Sequence, residues 1–278
     1  MPVPDAITPD RLAKLIGTPR CPTLLDVRRD ALVAAEPLLL PGARVVAEAE
    51  VAPDRIDALA TGLIGPVVVA CAEGHGRSQG LAAVLRARGI AAEYLEGGYV
   101  AWRAAGLPLA NPAPITTRDT QGRSVWVTRS RPKVDRIACP WLIRRFVDPR
   151  AVVLYVAPAE VASVAELFGA MPFDVEDTFW SHRGALCTYD VMLDAFGLHT
   201  PALDRLAVLV RGADTARPEL APEAPGLLAA SLGLSRMYAD DLAQLEAGLA
   251  LYDAFYRWCR DATGETHDWP TNRPGGAA

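Results

Sequence analysis

Lysine is nearly missing from this chain. Lys14 and Lys133 are the only two in 278 residues, and arginine carries the remaining positive charge. That bias, beside abundant alanine, reflects genome composition and implies no mechanism. A basic excess is missing as well: 28 Lys and Arg face 33 Asp and Glu, for a net charge of −5. Neither half is a nucleic-acid binder by bulk charge, and no nucleic-acid partner is expected. No run approaches the roughly 18 uninterrupted apolar residues of a spanning helix, so no membrane partner is expected. The five cysteines (Cys21, Cys71, Cys139, Cys187, Cys259) contain no Cys-x-x-Cys pair, which excludes a zinc ribbon. The first residues, Met1 to Asp5, show no basic stretch leading into an apolar one. The expectation is therefore a cytoplasmic setting with free thiols. What remains is apolar enough to fold: 51% of residues are hydrophobic and 22% charged, which excludes disorder along the whole chain.

The length suits two domains or one large one. Residues 1–110 alternate short apolar runs with amphipathic ones. Strands are expected over 23–27, 67–70 and 91–95, with helices over 53–63 and 78–88. The continuous apolar run at 67–70 reads as a central parallel strand. This alternation predicts an α/β domain with a parallel sheet between helices, a three-layer arrangement. Residues 108–114 hold three prolines and no apolar periodicity, which suits a boundary. The expected division is a first domain over 1–110, a linker over 111–123, a second domain over 124–270 and a flexible tail over 271–278. In the second part, strands are expected over 124–128 and 151–156. Helices are expected over 140–147, from Thr200-Pro201 onward, and over 235–260. That part reads as a helix-rich α+β domain.

One segment concentrates chemistry. A buried strand runs into Cys71, and Ala72, Glu73, Gly74, His75 and Gly76 lead to Arg77 and Ser78 at a helix start. A tight loop entering a helix turns successive backbone N–H groups inward at the positive end of the helix dipole. A thiol held there is stabilised as the nucleophilic thiolate. Gly74 and Gly76 are expected to take the positive φ angles the loop needs, and Arg77 offers a fork for an oxyanion.

In its motifs the first part resembles the rhodanese (sulfurtransferase) family. The matching pieces are Leu24-Leu-Asp26-Val-Arg28, Pro41-Gly-Ala-Arg44, the Cys71 loop with Arg77-Ser78, and Leu95-Glu-Gly97-Gly98-Tyr99-Val-Ala-Trp102. Together they cover about residues 10–108. The resemblance implies that Cys71 takes up a sulfane sulfur as a persulfide and passes it to a thiol or cyanide acceptor, with no cofactor. It also implies that Arg77 holds the oxyanion of a thiosulfate-like donor, and that Asp26, Arg28, Trp102 and the Gly97-Gly98 turn maintain the fold. Most rhodanese loops place four residues between Cys and Arg; here there are five. That spacing occurs in rhodanese-like phosphatases and some arsenate reductases, so a tetrahedral oxyanion stays open as substrate. Against it, no Asp in the loop is placed as a leaving-group acid.

The second part carries a charged stretch from Arg129 through Arg131, Lys133, Asp135 and Arg136 to Cys139-Pro140. With Pro140 as the first helical residue, Cys139 would be the cap, its thiol lowered by the helix dipole, beside a basic patch for an oxyanion. His182, Cys187 and Asp214 add imidazole, thiolate and carboxylate, all of which ligate first-row metals, although the spacing fits no standard motif. A metal ion in this part therefore remains open, with His182 and Asp214 as candidates. Residues from about Trp126 to Trp269 resemble the C-terminal domain of ChrB-type chromate-resistance proteins. The matching stretches are Arg131 to Phe146, Ser181-His182, Val210 to Thr215, Ser231 to Arg236, and Gly264 to Trp269. The resemblance implies a role in chromate resistance or sensing. Regulators of that family carry a DNA-binding domain where this chain has its rhodanese-like part. The reading favoured is a sulfurtransferase acting in oxyanion resistance or stress. The alternatives are a non-enzymatic oxyanion or metal sensor, and an arsenate reductase or phosphatase.

Overall fold

A computed structural model describes residues 5–265. The expected tail over 271–278, the last residues of the expected second domain and the His267-Asp-Trp269 motif lie outside the described residues. In the first half, β1 (Ala6–Ile7), α1 (Pro9–Leu15), β2 (Thr23–Asp26), α2 (Asp30–Ala35), β3 (Arg44–Val45), α3 (Ile56–Thr61), β4 (Val67–Ala70), α4 (Gly76–Ala87), β5 (Ala92–Leu95) and α5 (Gly98–Ala104) follow in order. The five strands form one all-parallel sheet in the order β1-β5-β4-β2-β3, with β4 at its centre. Every β4 side chain is buried, as a parallel sheet covered on both faces requires.

In the second half, β6 (Val125–Arg129), α6 (Asp135–Leu142), β7 (Val152–Val156), α7 (Val161–Phe168), β8 (Met171–Pro172), α8 (Thr188–Phe196), α9 (Pro201–Asp214), α10 (Ala224–Met237) and α11 (Asp241–Arg257) follow. A small parallel sheet, β7-β6-β8, is surrounded by these helices. The fold class is thus a parallel sheet flanked by helices, followed by a helix-rich part with a small sheet. No helix among the described residues is long and apolar enough to cross a membrane.

Two expected helix starts are corrected. The helix expected over 140–147 begins instead at Asp135, and Pro140 lies inside it. Proline cannot donate to the carbonyl four residues back, here that of Arg136. The Tyr155 hydroxyl, on β7, donates to that carbonyl at 2.7 Å, so the proline is accommodated by a partner distant in sequence. Past it the helix widens into a π turn over Ile143–Val147. The helix expected over 235–260 is two helices. Tyr238 is extended, and Asp240 caps α11 by accepting the Ala243 N–H at 2.7 Å.

The two halves share one apolar core. Leu24, Leu40, Tyr99 and Trp102 of the first belong to the same buried cluster as Trp141, Phe146 and Tyr256 of the second. Gly17, at φ +75°, lies so close to the Phe146 ring and to Tyr256 Cε1 (2.7 Å from an added Cβ) that no side chain fits there. The Gly42 N–H donates to the Phe146 carbonyl at 2.7 Å. The segment between the halves is tied to both: Ala110 pairs with Leu39, and the Asn111 N–H donates to the Phe196 carbonyl at 2.8 Å.

Candidate functional site

Cys71 directly follows the central strand β4, at the carboxyl end of the sheet, where open α/β sheets bind ligands. Its thiol is nearly buried, and Sγ lies 3.1 Å from Ser78 Oγ. Burial pushes the thiol up. The Ser78 hydroxyl and the backbone N–H groups of Ser78, Glu73 and His75 outweigh that, leaving it below its ordinary value of 9.0.

The loop is shaped from two sides. From within, the Gln79 side-chain amide donates to the Gly74 carbonyl at 2.9 Å. From outside, the start of α5 presses on it: the Tyr99 and Val100 N–H groups donate to the Cys71 and Ala72 carbonyls, each at 2.9 Å. Gly74 and Gly98 both have positive φ, +72° and +59°. A Cβ on Gly98 would lie 2.5 Å from the Gly74 nitrogen and 2.7 Å from the Ala72 oxygen. Gly76 departs from expectation. It is the first residue of α4, without positive φ and with open space beside it.

Arg77 sits in the first turn of α4. Its Nε donates to the Val27 carbonyl, and Nη1 pairs with Glu48 Oε1 at 3.2 Å. Nη2 is buried with no partner among the described residues. Glu48 was not singled out by the sequence, and nothing local to either residue marks the pairing. Glu73 and His75 are exposed and pair with each other at 3.3 Å. The residues implied to maintain the fold are structural in their contacts. Arg28 and Asp26 form a buried pair at 2.7 Å, Arg28 stacks 3.9 Å from the Tyr99 ring centroid, and Trp102 Nε1 donates to the Pro108 carbonyl at 2.8 Å.

In the second half, Asp135 opens α6, His182 lies in the loop before α8, and Asp214 ends α9. His182 Nε2 is 3.4 Å from Asp135 Oδ2, 3.2 Å from Asp214 Oδ2 and 3.5 Å from Asp174 Oδ1. Asp174, just after β8, was missed in the sequence. A lone Asp at a strand end carries no spacing signal. The Thr188 N–H donates to Asp135 Oδ2 at 2.6 Å. The hydrogen bonds to Asp135 and Asp174 push His182 up to about 10. Burial, joined by the charges of Asp135 and Asp174, pushes Asp214 up to about 7.

Three expectations for this region are corrected. Cys139 is inside α6 and fully buried, and burial raises its thiol instead of a helix dipole lowering it. Cys187 is likewise buried, and its thiol is pushed up chiefly by burial. Neither offers an accessible thiolate for sulfur transfer. Three of the arginines of the basic patch are already held. Arg129 and Arg136 pair with Asp174 at 3.0 and 3.3 Å, and the Arg131 guanidinium donates to the Ser235 and Tyr238 carbonyls. Apart from both clusters, a cavity of about 820 Å³ opens between the halves, lined by Cys21, Arg44, Arg118, Arg144, Arg145 and Arg150 among others.

Residues 8–105 match the family model described as Rhodanese-like domain, and residues 126–259 match ChrB, C-terminal domain. Protein ChrB of Cupriavidus metallidurans is 34% identical over 137 residues, which is 49% of this chain and 40% of that protein. The chain thus spans less than half the length of that relative. Among solved structures, a rhodanese-like domain protein from Staphylococcus aureus is similar at 28% identity and a TM-score of 0.30, over 35% of this chain and 90% of that one. A thiosulfate sulfurtransferase from Pseudomonas aeruginosa is similar at 28% identity and a TM-score of 0.30, over 39% of this chain and 19% of that one.

Proposed function

We propose, for a chain that joins a rhodanese-like domain to a ChrB C-terminal domain, a sulfur-transfer activity centred on Cys71. The observation that carries this reading is the thiol itself, held at the end of the central strand with Sγ 3.1 Å from the Ser78 hydroxyl. The Cys71 thiolate attacks the outer sulfur of a thiosulfate-like donor. A new S–S bond forms at Cys71, the donor's own S–S bond breaks, and sulfite leaves with the electron pair. The same donors that steady the thiolate then steady the persulfide anion. An acceptor thiolate or cyanide attacks the outer sulfur, and Cys71 departs again as thiolate. Arg77, in the first turn of the helix that follows the loop, supplies the positive charge toward the donor's sulfonate. Because Cys139 and Cys187 are buried, neither serves as the acceptor thiol. The second half supports assigning this activity to chromate or other oxyanion stress.

The test is intact-protein mass spectrometry after thiosulfate treatment of wild type and Cys71→Ser, followed by a cyanide chase. The expected result is a gain of about 32 Da that requires Cys71 and is cleared by cyanide. No gain on a thiol that still alkylates would overturn sulfur transfer. The five residues between Cys71 and Arg77 favour a tetrahedral oxyanion as the second reading, and arsenate, aryl phosphates and chromate would then be tried as substrates or ligands.

A further inference from the structure

The sulfur chemistry of Cys71 leaves the Asp135 cluster unused. One donor atom each from Asp135, His182 and Asp214 fall within 4.8 Å of one another. Ions of the Mn²⁺, Fe²⁺ and Zn²⁺ size bind oxygen and nitrogen at about 2.0–2.2 Å, so ligands around one such ion stand roughly 3–4.4 Å apart. The His182 contacts at 3.2 and 3.4 Å fall in that range.

A second observation points to a missing partner. Asp135 is fully buried, and its Oδ1 accepts no hydrogen bond from the described residues. Buried carboxylate oxygens are otherwise almost always satisfied, because stripping one of water without a partner is costly. The charges tell the same story. Arg129 and Arg136 pair with Asp174, and among the described residues His182 is the cation within 4 Å of both Asp135 and Asp214. A divalent cation bound by Asp135 and Asp214 would balance both carboxylates. His182 is about two-fifths exposed, which gives the ion a route in from solvent.

We propose that Asp135, His182 and Asp214 bind one divalent first-row metal ion. Two carboxylates and an imidazole make an oxygen-rich, borderline-hard donor set that suits Mn²⁺, Fe²⁺ or Zn²⁺ over soft ions such as Cu⁺. Neither Cys139 nor Cys187 belongs to the set. Three protein ligands leave coordination positions open to water or an incoming oxyanion. Asp174, held by the two arginines and by the Thr188 hydroxyl at 3.2 Å, stands beside the site, with Oδ1 3.5 Å from His182 Nε2.

The experiment uses the full chain after chelator dialysis, with its thiols alkylated. Mn²⁺ is titrated by electron paramagnetic resonance, and Zn²⁺ by competition with a chromophoric chelator. Wild type is expected to take up one equivalent of at least one of these ions. His182→Gln and Asp214→Asn, each checked for folding by circular dichroism, are expected to weaken uptake at least about tenfold. Paramagnetic broadening by Mn²⁺ should fall on the His182 imidazole, a readout that needs no variant. The proposal is overturned by no stoichiometric uptake of either ion, by uptake unchanged in both variants, or by broadening confined to other histidines.

Discussion

Ser78 acts on Cys71 twice, through its hydroxyl and through its backbone N–H, and only the first can be removed by substitution. Ser78→Ala deletes the hydroxyl and keeps the amide. The folded thiol lies below 9.0, so its thiolate-dependent alkylation rises through a midpoint below that value and levels off above it. In Ser78→Ala the midpoint should move up, and iodoacetamide alkylation at neutral pH should slow by roughly three- to tenfold. Unchanged kinetics would mean that the loop amides alone hold the thiolate. The linked stability has a definite sign. A depressed pKa favours the native state above the ordinary thiol value, and that contribution fades as pH falls through the lowered one.

At the scale of elements, the Cys71 loop is a contact between two turns, one after β4 and one before α5. A side chain on Gly98 would meet the backbone of the loop, which cannot yield as a flexible side chain would. Its φ of +59° adds backbone strain for any other residue. Gly98→Ala should therefore cost several kcal/mol in urea unfolding, on the order of 2–4, and should return the thiol toward ordinary reactivity. Tyr155→Phe is a milder change. It leaves the Arg136 carbonyl without its donor inside α6, and should cost about 1–2 kcal/mol by the same measurement. These two contacts also mark what could be read from the sequence. The Cys71 loop was legible because its donors lie within eight consecutive residues between a strand and a helix. The pressure from Gly98, far along the chain, was readable only through the family resemblance. The start of α6 was misplaced because proline normally marks a helix beginning, and the tyrosine that lets it sit inside comes from another strand. His182 and Asp214 were visible as residues with ligating side chains. Their meeting with Asp135, and the presence of Asp174, depend on packing across four segments, and no spacing rule encodes that.

For the whole molecule, the core argues that the two halves fold as one unit. Phe146 and Tyr256 of the second half pack at 5.4 Å between ring centroids, and Gly17 of the first lies against both rings. Separating the halves would strip this cluster and the bond between the Gly42 N–H and the Phe146 carbonyl, which is 2.7 Å long. Exposing those rings and that carbonyl to water would destabilise each half. Two probes read the halves apart. Loss of the enhanced alkylation of Cys71 at neutral pH reports the first, and the fluorescence of the buried Trp126, Trp141 and Trp180 is weighted toward the second. In urea both should change at one midpoint. Phe146→Ala removes a ring that the two halves share, so it should lower both midpoints together, by an amount equivalent to about 3–5 kcal/mol. Transitions that separate in wild type, or a Phe146→Ala effect confined to the tryptophan signal, would show two independently stable units in contact. The sulfur site would then be mechanically isolated from the Asp135 cluster. A single transition means that a ligand bound at either site stabilises the fold that carries the other, and thiosulfate or metal should each raise the common midpoint in proportion to its own occupancy.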